Sequence, residues 1–329
     1  MRGMFGTAAI AFATLVTSSV CAAAGPPAWA YGIDPNAPPP GGGRGAGGGG
    51  RGAQPAADES LKHLPGSTGA FTLAQIRNAF GPADWYPGDH PPMPDVVAKG
   101  RRPDVRACAL CHYPNGKGRP ENAPVSGFTT AYFIQQMADF RDGNRKSADP
   151  RKANTNVMIA IARAMTDDEI KASAEYFGAM KWTRWVKVVE TGTVPKTRLS
   201  AGMFMPLDGA AAGQEPLGQR IIEVPENPDA TDTLRDDRSG FIAYVPMGSI
   251  KKGEALSTGC AVCHGADLNG LGPVPGIAGR SPSYLVRQMY DMQQGARKGP
   301  WTELMKSSVA KLSEEDMLNI AAWVASRTP

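Results

Sequence analysis

The pentapeptide Cys-x-x-Cys-His occurs twice in this 329-residue chain, as Cys108-Ala109-Leu110-Cys111-His112 and as Cys260-Ala261-Val262-Cys263-His264. Of the five cysteines, only Cys21 falls outside the two copies. The copies are 152 residues apart (260 − 108), and the same offset aligns further residues. Gly118 falls on Gly270, Gly127 on Gly279, Tyr132 on Tyr284, Gln136-Met137 on Gln288-Met289, Asp139 on Asp291, and Arg145-Lys146 on Arg297-Lys298. Beyond these the first half carries five extra residues (152 − 147), and Met158 falls on Met305 (305 − 158 = 147). A repeat of this length describes two copies of one folding unit.

A histidine placed directly after each Cys-x-x-Cys is the signature of covalent haem attachment. The spacing suits two thiols that add across the two vinyl groups of one haem, leaving the histidine beneath the iron. Two disulfides would also use four cysteines in an exported protein. A redox dithiol or half of a zinc site are further readings of a single copy. A zinc site would need more Cys or His, and only His63 and His90 stand elsewhere. Two identical copies favour two haem c groups, held by Cys108, Cys111 and His112 and by Cys260, Cys263 and His264.

The opposite face of each iron needs its own ligand. Methionine suits electron transfer, because its thioether favours reduced iron. Met158 and Met305 match across the repeat, each eight residues before the Thr or Ser that starts the last helix. They are expected on a loop crossing the open haem face. Met137 and Met289 also match, but they sit in a helical pattern and read as core. His63 and His90 read as surface residues.

The flanking segments differ in texture. Residues 1–30 read as an export signal, with an apolar run from Met4 to Ala24 and processing after Ala22-Ala23-Ala24 or Ala28-Trp29-Ala30. This places the protein in the periplasm, with Cys21 discarded. A retained run would instead tether it to the membrane. Residues 31–58 form a Gly/Pro-rich linker, and 59–95 an N-terminal extension with a short helix at 71–80 and a non-regular wrap from Trp85 to Pro94. The haem units span 96–183 and 247–329. Between them, 184–246 contains β-like runs at 185–190, 220–224 and 241–245. The fold class is therefore mainly α: two tandem haem units joined by a small extended insert. Thr166 with Glu169, and Ser313 with Asp316, fit the capping box of a final helix in each unit.

The formal charge is +4, and residues 99–190 hold 16 Lys and Arg against 10 Asp and Glu. No block of five basic residues points to nucleic acid. The surplus is either ordinary solvated surface or a docking face on the first unit for an acidic redox partner.

Each half resembles a class I cytochrome c domain, and the whole resembles the dihaem cytochrome c4 group. The resemblance is carried by the Cys-x-x-Cys-His pairs, Pro275-Gly276-Ile277-Ala278-Gly279, Tyr284 to Met289, and Met305 ahead of Leu312-Ser313-Glu314-Glu315-Asp316. It implies that Pro275 offers its carbonyl to the haem histidine His264. In the first half Ala123 occupies the matching position and Pro124 lies one further on. The expected function is electron transfer between redox protein partners, a membrane oxidase or dehydrogenase among them, with no small-molecule substrate. A subunit of a dehydrogenase or oxidase complex is the alternative. A dihaem enzyme is disfavoured, because the two methionines close both irons and the chain shows no set of acid, base or nucleophile.

Overall fold

The computed structural model describes residues 25–36 and 58–329. The apolar run through Ala24, including Cys21, and the glycine-rich stretch at 41–52 lie outside the described residues.

Both units are helical and follow the repeat. In the first, helices span Cys108–His112, Thr130–Arg141, Ala153–Ala164 and Asp167–Gly178. In the second, they span Ser249–Leu256, Ala261–His264, Pro282–Gln293, Glu303–Val309 and Glu314–Ser326. The last helices start at the expected capping boxes. Glu169 N donates to Thr166 Oγ1 at 3.2 Å and Asp316 N to Ser313 Oγ at 3.0 Å, and each acidic side chain accepts from its cap residue's N–H. Thr129 and Ser281, also 152 apart, cap the matching earlier helices by accepting from Tyr132 N and Tyr284 N. Each such cap supplies a partner for an otherwise orphaned N–H and is worth about 1 kcal/mol.

The cores differ in ownership. The first unit has its own cluster, with Val97, Val105, Ala109, Phe128, Ile161 and Phe177 buried together. In the second, Val286, Met317, Leu318 and Val324 share one cluster with Trp185, Val186, Phe241 and Val245 of the insert, and with Ala30 and Tyr31 from the N-terminal segment. Full burial of each such side chain is worth about 1.5–3 kcal/mol.

The insert is better ordered than its sequence suggests. Strands Val186–Glu190, Phe241–Val245 and Ile222–Pro225 form one sheet with Phe241–Val245 in the middle. The first pair is parallel, Val186 opposite Phe241, and the second antiparallel, Ile222 opposite Tyr244. A parallel pair needs a long crossover, which residues 191–240 supply. Buried Glu223 ties this sheet to the second unit by accepting from Ser281 Oγ at 2.8 Å and Ser283 N at 2.7 Å.

The N-terminal extension packs where the insert turns. Its helix is only Leu73–Ile76. Leu64, Ile76, Trp85 and Tyr86 form a small core with Leu234, and Trp85 Nε1 donates to Leu234 O at 2.8 Å. His63 is exposed. His90 is not the surface residue expected: its side chain is only 3% exposed, bonded to Asp84 Oδ1 at 3.2 Å and Pro91 O at 2.8 Å, with its ring against Tyr176. Both ring nitrogens are engaged, which removes it as an iron ligand. Upstream, Ala28–Tyr31 is a helical turn with Ala30 and Tyr31 fully buried.

The units meet about a local two-fold. Lys146 N donates to Ala296 O at 2.9 Å and Lys298 N to Asn144 O at 2.8 Å, so equivalent residues exchange equivalent bonds. Arg145 reaches Tyr284 OH at 3.3 Å and Gln288 Oε1 at 3.1 Å, while Arg297 reaches Tyr132 OH and Gln136 Oε1, both at 2.8 Å. The residues that match across the repeat are thus the residues that join its copies.

Candidate haem-attachment sites

The Cys108–His112 helix puts both thiols and the imidazole on one wall of a cavity of about 560 Å³. Helical spacing brings Cys108, Cys111 and His112 to one side, since residues three and four apart share a face. All four motif cysteines are free thiols rather than disulfides. Burial pushes the Cys108 thiol up to about 11 and raises Cys111 and Cys260 as well. A redox dithiol needs the opposite, a depressed thiol, which neither Cys108 nor Cys111 shows.

His112 Nδ1 lies 2.7 Å from Ala123 O, and His264 Nδ1 lies 2.8 Å from Pro275 O. Burial lowers the pKa of both imidazoles, against these bonds. A neutral ring that donates from Nδ1 to a carbonyl keeps its Nε2 lone pair for a metal. Ala123 therefore takes over in the first unit what Pro275 does in the second, because a backbone carbonyl is all the bond requires. Pro124 O turns away and instead accepts from Arg280 at 3.2 Å.

After each histidine the chain enters the left-handed region, at φ +85° for Gly265 and +63° for Tyr113. Glycine takes this turn freely, whereas a tyrosine is strained by about 1–3 kcal/mol. Tyr113 is held by burial, 2% exposed, with Arg235 over its ring at 5.4 Å.

Met158 lines the same cavity as His112. Met305 is half-buried against the second unit's core, as are Cys260 and Ile277. Neither lies on a loop as expected: Met158 is on the Ala153–Ala164 helix and Met305 on Glu303–Val309. The first of these segments is Ala-rich, with apolar residues at 157, 158, 161 and 162, which is a helix pattern.

The cavity fits a haem. Val125, Phe128, Phe133, Ile161 and Phe177 supply apolar walls, and the lining cations, Arg145, Lys146, Lys152 and Arg287 among them, outnumber the carboxylates Glu121 and Asp291, an excess suited to propionates. Lys152 belongs to the extra residues of the first unit and also donates to Tyr31 O at 2.9 Å. Burial draws its pKa down to about 7.

The two sites differ in cover. Over the first, Arg235 of the insert donates to Leu110 O, Asn115 Nδ2 donates to Asp237 O at 2.6 Å, and His90 packs on Tyr176. Around the second, Val262 is 78% exposed, Leu271 61% and Leu304 73%. Three cations of the first unit, Arg119, Arg145 and Lys152, and three anions, Glu121, Asp139 and Asp149, are buried, so the basic surplus stays at its surface. Sequence reading missed this role for Tyr132, Gln136, Arg145 and Arg297, although their match across the repeat was the available signal.

Comparison with known proteins places this geometry. The cytochrome c family model matches residues 97–181 and 250–328, one match on each unit. Cytochrome c-554(548) of Halomonas halodenitrificans is 37% identical over 81 residues, 24% of this chain and 98% of that protein. Cytochrome c4 of Pseudomonas aeruginosa is 39% identical over 82 residues, 24% of this chain and 39% of that protein. A thiosulfate dehydrogenase electron acceptor of Thiomonas intermedia is 23% identical over 228 residues, 68% of this chain and 80% of that protein. With both helical units matched and a single-unit relative covered almost end to end, the chain belongs to the cytochrome c family and carries two covalently attached haem c groups.

Proposed function

We propose that this chain is a periplasmic electron carrier whose irons are ligated by His112 with Met158 and by His264 with Met305. Each bound haem supplies a one-electron Fe(III)/Fe(II) couple. The protein's own part is to fix each imidazole through a carbonyl, to present a thioether from a separate helix, and to keep water from the apolar walls. The carrying observation is the shared cavity of His112 and Met158 together with the His112–Ala123 bond. Saturated irons leave no open position for a substrate.

Electrons are exchanged with partners at the second unit. That unit leaves Val262, Leu271 and Leu304 exposed beside its haem motif, whereas the extension and insert cover the first. This reading stands in place of the docking expected on the first unit because of the exposed apolar residues and not because of charge, since the first unit's surface keeps its basic surplus. No helix among the described residues is long and apolar enough to cross a membrane.

A second reading, subunit of a dehydrogenase complex, is favoured by the Thiomonas relative that bears the name of an electron acceptor. Oxidised holoprotein given thiosulfate alone should stay oxidised. With a thiosulfate dehydrogenase added, it should take up two electrons per chain. Turnover of thiosulfate by the chain alone would make it an enzyme and overturn the carrier reading.

A further inference from the structure

Arg280 is 1% exposed and lies between the two units. Its Nε donates to Gly276 O at 2.7 Å, its Nη1 to Pro124 O at 3.2 Å and its Nη2 to Ser126 O at 3.2 Å. The guanidinium is sandwiched by aromatic faces, 4.0 Å from the centroid of Phe128 and 4.6 Å from that of Trp182. Phe128 is its own repeat counterpart (280 − 152), so the two stack across the local two-fold. Trp182 closes the arrangement by donating from Nε1 to Ala278 O at 3.0 Å.

The partners of Arg280 are placed to matter. Gly276 directly follows Pro275, whose carbonyl holds His264. Pro124 directly follows Ala123, whose carbonyl holds His112. One side chain therefore grips both loops that orient the haem histidines. Among the described residues no carboxylate pairs with it, and burial draws its pKa down to about 10. A buried cation without a counter-charge is costly, several kcal/mol in typical proteins. Three carbonyls and two ring faces offset that cost without cancelling the charge.

We infer that Arg280 is a positioning residue that sets both haem potentials together, through a fixed positive charge locked between the two histidine-bearing loops. A reduced haem is one charge less positive than an oxidised one, so a nearby fixed cation favours reduction at both sites. The inference rests on the carrier reading above and deepens it. It makes the two irons respond to one residue that lies outside both Cys-x-x-Cys-His motifs.

The test is a spectroelectrochemical titration of the full-length holoprotein, wild type against Arg280→Gln and Arg280→Lys. The glutamine keeps donors but loses the charge. Both midpoint potentials should fall, with the oxidised-to-reduced ratio at a fixed poise rising about tenfold at each haem. The lysine keeps the charge, and both potentials should stay near wild type. Unchanged potentials in Arg280→Gln, movement of one haem alone, or an equal fall in Arg280→Lys would overturn the inference. If Arg280→Gln yields no holoprotein, the lysine variant decides alone, retained potentials supporting the inference and a fall at both haems overturning it. Thiosulfate turnover by the wild-type chain tests the carrier reading separately, so the two failures are distinguishable.

Discussion

Arg145 and Arg297 stand at the same position of two repeats, and each donates into the other's helix. Arg145 reaches Gln288 of the second unit at 3.1 Å, and Arg297 reaches Gln136 of the first at 2.8 Å. Both are buried, and each also holds the glutamine of its own unit, at 3.0 Å in both cases. The interface is thus a reciprocal polar network, in which Arg297 Nε alone is buried without a partner among the described residues, and its members cost most when a partner is removed.

Replacing either arginine by leucine takes the donor from one buried phenol oxygen, Tyr284 for Arg145 and Tyr132 for Arg297, and one of two donors from each glutamine oxygen. A loss of roughly 2–4 kcal/mol is expected. Denaturant unfolding followed at the haem bands and by circular dichroism should show one transition in wild type and two in Arg145→Leu or Arg297→Leu. An unchanged midpoint would mean that the apolar contacts alone hold the units together.

Pro275→Ala should leave the second haem's spectrum and potential unaltered, because the His264 bond is made by a carbonyl that alanine also owns. Ala123 already makes it in the first unit at 2.7 Å. Only a small stability loss, under about 1 kcal/mol, is expected from the freer unfolded chain. A displaced potential at that haem alone would assign the role to the proline ring instead.

Met158→Ala and Met305→Ala should each remove about half of the weak sulfur-to-iron band near the red end of the oxidised spectrum, and the double variant all of it. If the full band survives in both single variants, the ligands are other residues.

Much of this was legible beforehand, and the particular failures share a cause. Cys108 and Cys260 with their histidines, the Thr166 and Ser313 caps, and the 241–245 strand are local patterns, set by short-range chemistry. The sheet partners of Phe241–Val245 and the burial of His90 depend on packing between segments far apart in the chain. The matched Tyr132, Gln136 and Arg145 were visible as a repeat. Their meaning was not, because equivalence in sequence does not reveal that a two-fold brings equivalent residues into contact.

Asp237 is 2% exposed, and neither of its carboxylate oxygens has a hydrogen-bond partner among the described residues. Burial, with Asp236 and Asp84 nearby, pushes its pKa from 3.8 up to about 7. The folded state therefore binds the proton more tightly than the unfolded one. Stability from this group is full below about pH 4 and declines as pH rises to about 7, by up to about 4 kcal/mol. Asp237→Asn should raise the melting temperature at pH 8 and change it little at pH 4. Equal shifts at both pH values would contradict the buried, protonated carboxyl.

Processing after Ala30 would remove the carbonyl that Arg287 holds at 2.6 Å and the Trp29 indole that donates to Glu314 at 3.2 Å. Processing after Ala24 keeps both. The intact mass of exported holoprotein should therefore include Ala28 to Ala30. A mass beginning at Tyr31 would show that this turn is dispensable.

Carbon monoxide binding by the reduced holoprotein is the most direct test of electron transfer through two His/Met irons. No Soret shift is expected on the time scale of seconds at either haem. Rapid stoichiometric binding would show an open iron, and with it a site built for a ligand rather than for an electron.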